Sequence, residues 1–424
     1  MNRRTALSRL TALTAAGLLV TVAPAVAAPN RPGPPVTDDA GAVLDWNAIA
    51  FRTIVTEGGQ PPQVAQLYLG LVSTAVFNAV VTVEGGGTAT VPQRPAKAHA
   101  SSDVAAVTAA HHVLRHYFPA SAPALAADYQ AFLAARPHGV GTVHGVWAGQ
   151  DAAAALLATR DDTELNAPVT LPRPADPPPG MWVPTGSGEM QAPWLGFVTP
   201  IVLDAGADLG VDGPDPIDSG AYAVDFEEAR TMGAATGSLR SDHQTETGLF
   251  FTDHPPRQVQ DGMRDRAVRH DLDIVESARL FAAANVAGAD ALIACWSAKF
   301  EANYWRPVTA IHRADEDGNP ATTADPTWVS LRPSPPYPEY PSGHACLSGG
   351  VSGALEALYG EGNVDTVVAS LVTGTSRHYD SEDEWMTDVV DGRIFLGFHF
   401  RDGMDDGRQI GAETAERVVG AFLP

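Results

Sequence analysis

Cysteine is almost missing: Cys295 and Cys346 are the two in 424 residues. Two thiols cannot staple a secreted framework, so they read as small buried hydrophobes, with a single bridge between them left open. Basic charge is also short, at 27 Lys and Arg against 50 Asp and Glu. A net charge of −23 argues against nucleic acid or an anionic membrane as partner, because both repel such a chain. Beyond the N-terminus no uninterrupted apolar run reaches the roughly 18 residues of a membrane span. Strand-like alternation is nearly absent, and no repeat of fixed period recurs. What is present is a 45% hydrophobic composition, enough to fill a sizeable core in one large domain or two ordinary ones.

The chain starts with Arg3, Arg4 and Arg9, then an apolar stretch from Leu10 to Val26 and the small residues Ala25-Val26-Ala27. This is the pattern of an export signal over 1–28, cleaved near Ala27 or Ala28, and Arg3-Arg4 suits the twin-arginine route as well as general secretion. The mature protein is expected outside the cell. Residues 43–159, rich in Ala, Leu and Val, read as an N-terminal helical bundle. Val64 to Val80 and Ser102 to Arg115 place apolar residues at i, i+3, i+4 and i+7. A Pro-, Gly- and Asp-rich connector follows over 160–220. Its Asp204, Asp208, Asp212, Asp215 and Asp218 lack calcium-loop spacing and read as a solvated acidic loop. Residues 221–424 resume helical periodicity, at Tyr222–Thr236, Leu272–Trp305, His344–Tyr359, Asn363–Val372 and Gly407–Phe422. The expected fold is all-α, with two packed helical bundles.

Three segments carry chemistry. Lys299 and Arg306 are seven residues apart, which at about 100° per residue returns to nearly the same helix face. Tyr337-Pro338-Glu339-Tyr340-Pro341-Ser342-Gly343-His344 leads into a small-residue helix. There the Ser342 hydroxyl, the Ser342 and Gly343 amides and the positive helix end form an anion seat, with His344 placed for proton transfer. In the third, Arg393 offers a planar fork to an oxyanion, and His399 a neutral nitrogen able to attack or coordinate. Six helical steps leave those two about 120° apart, so the chain must bend near Gly397 or the site must wrap around the helix. Each segment alone is explained as well by a surface helix, a Ser N-cap or a structural residue. Together they supply charge, hydrogen bonds, a proton-transfer group and a nucleophile or metal ligand.

Lys299-x6-Arg306-Pro307, Pro341-Ser342-Gly343-His344 and Arg393-x5-His399, in that order, resemble the three-part signature of the vanadium haloperoxidase and type 2 phosphatidic acid phosphatase superfamily. Trp46-Asn47 with Pro61-Pro62, Arg240 to Glu246, and Trp296 one turn before Lys299 resemble its bacterial secreted haloperoxidase-like branch. The resemblance implies an active site in the C-terminal bundle, with vanadate as cofactor in a pocket that phosphate can also occupy. It implies that Lys299, Arg306, Ser342, Gly343 and Arg393, joined by His344, hold the vanadate, with His399 as apical metal ligand. His344 would be the acid–base residue, and Lys299 counts with the two histidines among the catalytic groups. Hydrogen peroxide and a halide or small organic molecule would be the substrates. The chain departs from the signature at Gly392, where Ser is usual, at Gly403, where a carboxylate orienting His399 is usual, and at Tyr337, where haloperoxidases have Phe or His.

His111, His112 and His116 include an i, i+4 pair without a third ligand and read as a helix face. Arg377-His378-Tyr379 followed by Asp380, Glu382, Asp383 and Glu384 reads as an acidic helix start. The leading function is a vanadium-dependent haloperoxidase. A secreted acid phosphatase with His399 as nucleophile and a non-catalytic phosphate-binding protein are the alternatives. Homo-oligomerisation is left open.

Overall fold

The computed structural model describes residues 39–186 and 188–423; the expected export signal lies outside them. The first five helices are α1 (Asp39–Phe51), α2 (Pro62–Glu84), α3 (Ser102–Tyr117), α4 (Ala122–Ala134) and α5 (Val140–Leu157). Then come α6 (Gly220–Gly233), α7 (Asp242–Phe250), α8 (Pro255–Arg269), α9 (Ile274–Ala302), α10 (Pro307–His312) and α11 (Gly343–Tyr359). A hairpin of β1 (Thr366–Ser370) and β2 (Thr375–Tyr379) precedes α12 (Glu382–Phe395) and α13 (Arg401–Val419). The fold is therefore all-α, with one two-stranded sheet among the described residues.

α9 organises the rest. Its start is fixed by a capping box, in which the Asp273 carboxylate accepts from the Glu276 amide and Glu276 accepts from the Asp273 amide. From there it packs against α2, α11 and α13. α11 and α13 touch backbone to backbone, since a Cβ on Gly411 would sit 2.5 Å from the Gly350 nitrogen. A buried amide network ties α1, α2, α8 and α9 together: Asn47 donates to Gln260 (2.7 Å), Gln260 to Asn285 (2.6 Å) and Asn285 to Ser73 (2.9 Å). Polar groups so satisfied fix one register of the four helices. α2 and α9 have the length and hydropathy of membrane-crossing helices, and both lie buried within the fold.

The connector over 160–220 is laid onto this core, with Trp182, Trp194 and Leu195 buried. The fully buried Asp290 of α9 accepts from the amides of Ile201, Val202 and Leu203 at 2.7–2.8 Å. Two further backbone bonds, Trp182 to Asn303 and Trp305 to Gly180, pin the chain just past α9.

Two expectations are corrected. Residues 366–370, read as part of a helix over Asn363–Val372, form a strand. The β-branched run Thr366-Val367-Val368 suits a pleated surface, and Thr366, Val368 and Ser370 alternate inward. Lys299 and Arg306 do not share a helix face either. α9 ends at Ala302, Asn303 is left-handed (φ 46°), and Arg306 is the N-cap of α10, with Pro307 its first residue.

His111 is buried and stacked on Tyr129 (4.3 Å between ring centres), and neither ring nitrogen has a partner. Burial, then His112 and Arg115, pushes its pKa down to about 4. The folded state therefore binds fewer protons at this site than the unfolded state between about pH 6.5 and 4, so stability is lost as pH falls through that window. His111→Phe removes the ionisation without breaking a hydrogen bond. Its Tm should fall less steeply than that of the unmodified chain between pH 6.5 and 4; parallel Tm profiles would refute this.

Candidate active site

The site forms around the start of α11. Gly397 (φ 72°) bends the chain between α12 and α13, so Arg393 leaves the last turn of α12 while His399 stands on the extended link to α13. Ser342 caps α11, its hydroxyl accepting from the Ala345 amide at 3.4 Å. The amides of Gly343 and His344 open that helix without an acceptor four residues back. The Trp296 ring packs onto Gly343 so closely that a Cβ there would meet it at 2.7 Å.

All the sequence-derived site residues come together here, and all are buried: Lys299, Arg306 and Ser342 at 0%, His399 at 1%, Arg393 at 6% and His344 at 8% exposure, with Gly343 also buried. Arg306 Nη1 lies 3.1 Å from His399 Nε2 and donates to the Phe398 carbonyl at 2.8 Å, while its Nε donates to the Tyr337 carbonyl. The Ser342 hydroxyl is 3.4 Å from the same His399 Nε2. Arg393 Nη1 donates to the Phe251 carbonyl at 2.9 Å. Lys299, one of two lysines in the chain with Lys97, gives its ammonium to the carbonyls of Pro338, Glu339 and Pro341. It fastens the turn before α11 and adds its charge to the site. Gly343, His344 and Arg393 line an open cleft of about 520 Å³ walled by Phe251, Trp296, Tyr337 and Phe398. Tyr337 presents its ring to both Lys299 (5.2 Å) and Arg306 (5.0 Å). A larger cavity, about 720 Å³, lies along the 196–214 loop and α9, but none of these groups lines it.

Burial sets the protonation states. Lys299 is pushed down to about 8 by desolvation, with Arg306 acting the same way. His399 is held well below the ordinary histidine range by burial, then by Arg306, Lys299, Arg393 and His344. His344 is likewise lowered, by burial and then Arg393. Both imidazoles are therefore neutral near pH 7, which leaves a lone pair free on each.

The sequence quoted Glu339 within its motif but gave it no role. Its carboxylate Oε1 lies 2.6 Å from His399 Nδ1, at 1% exposure. Burial pushes its pKa up to about 8, opposed by Arg306 and Lys299. Phe251, at the end of α7, was missed too; it fills the space a side chain at Gly392 would need, since a Cβ there would meet its ring at 2.9 Å. The quoted Arg240–Glu246 segment serves the frame: Ser241 and Gln244 form the capping box of α7, and Glu246 pairs with Arg377 of β2. The three histidines of α3 do not gather. His111 is buried, His112 bonds the Thr108 carbonyl and His116 bonds Asp162. Cys295 and Cys346 are both free and buried.

An anion fits this arrangement because the site holds donors with nothing to bind. Arg306 Nη2 and Arg393 Nε are buried without a hydrogen-bond partner, and an unpaired buried charge-bearing donor is costly. A tetrahedral oxyanion such as vanadate or phosphate would satisfy both.

A basic pocket of this kind, at a helix start in an all-α fold, carries the donor set that an oxyanion needs. Residues 279–422 match the family model of the VCPO second helical-bundle domain. Vanadium chloroperoxidase from Curvularia inaequalis is 27% identical over 331 residues, covering 61% of this chain and 53% of the relative; the chain thus spans about half the length of that curated protein. Among solved structures, a bacterial vanadium-dependent iodoperoxidase superposes with a TM-score of 0.76 at 20% identity, covering 92% of this chain and 98% of the other. The holo form of a bacterial vanadium-dependent chloroperoxidase gives 0.65 at 19% identity, covering 86% and 94%. Residues 279–422 thus match a helical-bundle domain of that family model, and the fold as a whole is that of the bacterial vanadium haloperoxidases.

Single replacements Arg306→Ala and Arg393→Ala should each weaken vanadate binding by about 1.5–3 kcal/mol, roughly 10- to 150-fold, the loss of one charge-assisted contact. Calorimetric titration reads this directly. Unchanged affinity in both variants would mean that the anion binds elsewhere.

Proposed function

We propose that this chain is a vanadium-dependent haloperoxidase, oxidising halide with hydrogen peroxide at a vanadate held by Arg306, Arg393, Ser342, the first amides of α11 and His399. The observation that carries the reading is the pair of buried guanidinium nitrogens without acceptors, set beside a neutral His399 whose Nε2 faces Arg306 and Ser342. Bound there, vanadate supplies the Lewis acidity that makes a peroxide oxygen electrophilic towards halide.

The remaining work falls to side chains. Arg306 Nη2 and Arg393 Nε donate to the anion's oxygens, and the start of α11 adds its amides and dipole. His399 offers its Nε2 lone pair as the ligand atom. Lys299 holds the 338–341 turn and contributes positive charge. The reaction consumes halide, hydrogen peroxide and one proton and gives hypohalous acid and water, so a proton must move at the cleft. Neutral His344, on the cleft wall edge-on to Phe251, is placed to take a proton from entering peroxide and return it as water forms. The apolar walls admit a small organic molecule as acceptor of the halogen. Export through residues 1–28 belongs to the same proposal and places the chemistry outside the cell.

Purified protein, with and without orthovanadate, should be tested on bromide plus hydrogen peroxide and separately on a phosphate monoester. We expect vanadate-dependent bromide oxidation, inhibited competitively by phosphate because two tetrahedral anions share one pocket. No halogenation with bromide or iodide from mildly acidic to neutral pH, together with monoester cleavage by the vanadate-free protein, would replace this reading with a phosphatase using His399 as nucleophile.

A further inference from the structure

His399 can serve an anion only through one nitrogen, and something must decide which. Its Nε2 faces Arg306 Nη1 and the Ser342 hydroxyl, at 3.1 and 3.4 Å. Its Nδ1 faces one group, the Glu339 carboxylate, 2.6 Å away. That oxygen, Oε1, already accepts from the Phe400 amide at 3.2 Å, so it is the acceptor oxygen of the carboxyl group; His399 then donates to it from Nδ1, and Nε2 is left bare on the side of the cations.

Glu339 is itself firmly placed. Its amide donates to the Tyr304 carbonyl at 2.9 Å, its carbonyl accepts from Lys299, and its Oε1 also accepts from the Phe400 amide at 3.2 Å. The position that faces it on α13 has no side chain. A Cβ on Gly403 would lie 2.7 and 2.9 Å from the two carboxylate oxygens. The Gly403 backbone cannot retreat cheaply, because its carbonyl accepts from the Ser342 amide at 2.7 Å. The carboxylates nearest in sequence are engaged or exposed: Asp402 accepts from the Asp215 amide, and Asp405 points to solvent.

We infer that Glu339 is the positioning residue for His399, its carboxylate entering from the turn before α11 to occupy the space that a side chain at position 403 would fill. Glu339 touches no anion; it acts by fixing the ring's orientation and tautomer. The glycine at 403 and the glutamate at 339 are then one unit, and a carboxylate supplied from 403 should replace one removed from 339. This inference rests on the oxyanion-site reading for its consequence, but the state of the His399 ring can be read without any anion.

Two measurements on the purified chain test it: the ¹⁵N NMR signature of the His399 ring, assigned with His399→Ala, and calorimetric titration with orthovanadate. The variants are Glu339→Ala, Glu339→Gln and the double variant Glu339→Ala/Gly403→Asp, each checked for native Tm and circular dichroism. We expect a pure Nδ1–H ring in the unmodified chain and a mixture of tautomers in Glu339→Ala, with the Nδ1–H form recovered in the double variant. Vanadate affinity should drop about 10- to 100-fold in Glu339→Ala, the usual effect of losing a ligand's outer partner. It should drop less in Glu339→Gln, which keeps an acceptor oxygen, and return at least halfway, on a logarithmic scale, in the double variant. An unchanged ring signature in Glu339→Ala, or a double variant Glu339→Ala/Gly403→Asp that recovers neither the Nδ1–H form nor vanadate affinity, overturns the inference. If the unmodified chain binds no vanadate, the oxyanion reading fails, while the tautomer result still decides the role of Glu339.

Discussion

Three cationic side chains, Lys299, Arg306 and Arg393, are buried around the start of α11, and one carboxylate, that of Glu339, is hydrogen-bonded among them. Charge taken out of water without a partner is expensive, so the rest of the local structure is arranged to offset it. Backbone carbonyls absorb most of the donors: three for Lys299, two for Arg306 and one for Arg393. The Tyr337 ring lies under two of the cations. What is left over is a net positive hole with two free donors, in a chain whose overall charge is −23. The imbalance is local and built in, and the oxyanion of the proposed function would complete it.

The frame explains why such a costly cluster can persist. The turn carrying Glu339 and Ser342 is tied to α9 by Lys299 and to α13 by the Ser342–Gly403 bond. The chain that carries Arg306 is pinned by the connector through Gly180 and Trp182. These contacts are made wherever the helices pack, so core stability and site geometry draw on the same bonds. The two glycines at 392 and 403 fit this picture. Each leaves room for a side chain from a different segment, Phe251 in one case and Glu339 in the other.

Much of this was legible in the sequence because it is written locally. The periodic stretches Val64–Val80 and Ser102–Arg115 lie inside α2 and α3, and Pro341-Ser342 starts α11 as N-cap chemistry requires. The 120° offset between Arg393 and His399 called for a bend near Gly397 or a site wrapped around the helix, and a left-handed glycine supplies the bend. What was not legible depends on burial and on contacts between distant segments. The helix-face argument for Lys299 and Arg306 brought the right residues together by the wrong route, because the end of α9 at Ala302 is set by Asn303 and the connector rather than by periodicity. The hairpin over 366–379 is short and half exposed, so its alternation is weak beside the flanking helices. Glu339 stood in plain view in its motif, yet a carboxylate in a turn reads as solvated until the histidine sixty residues on is seen to close over it.

The central claim is that one oxyanion completes this cluster, and a crystal structure of the protein soaked with orthovanadate tests it most directly. The account predicts anion density within hydrogen-bonding distance of Arg306 Nη2, Arg393 Nε and the Gly343 and His344 amides, with His399 Nε2 as the nitrogen nearest the central atom. Density on the other side of the cleft, or on His344 instead of His399, would contradict it.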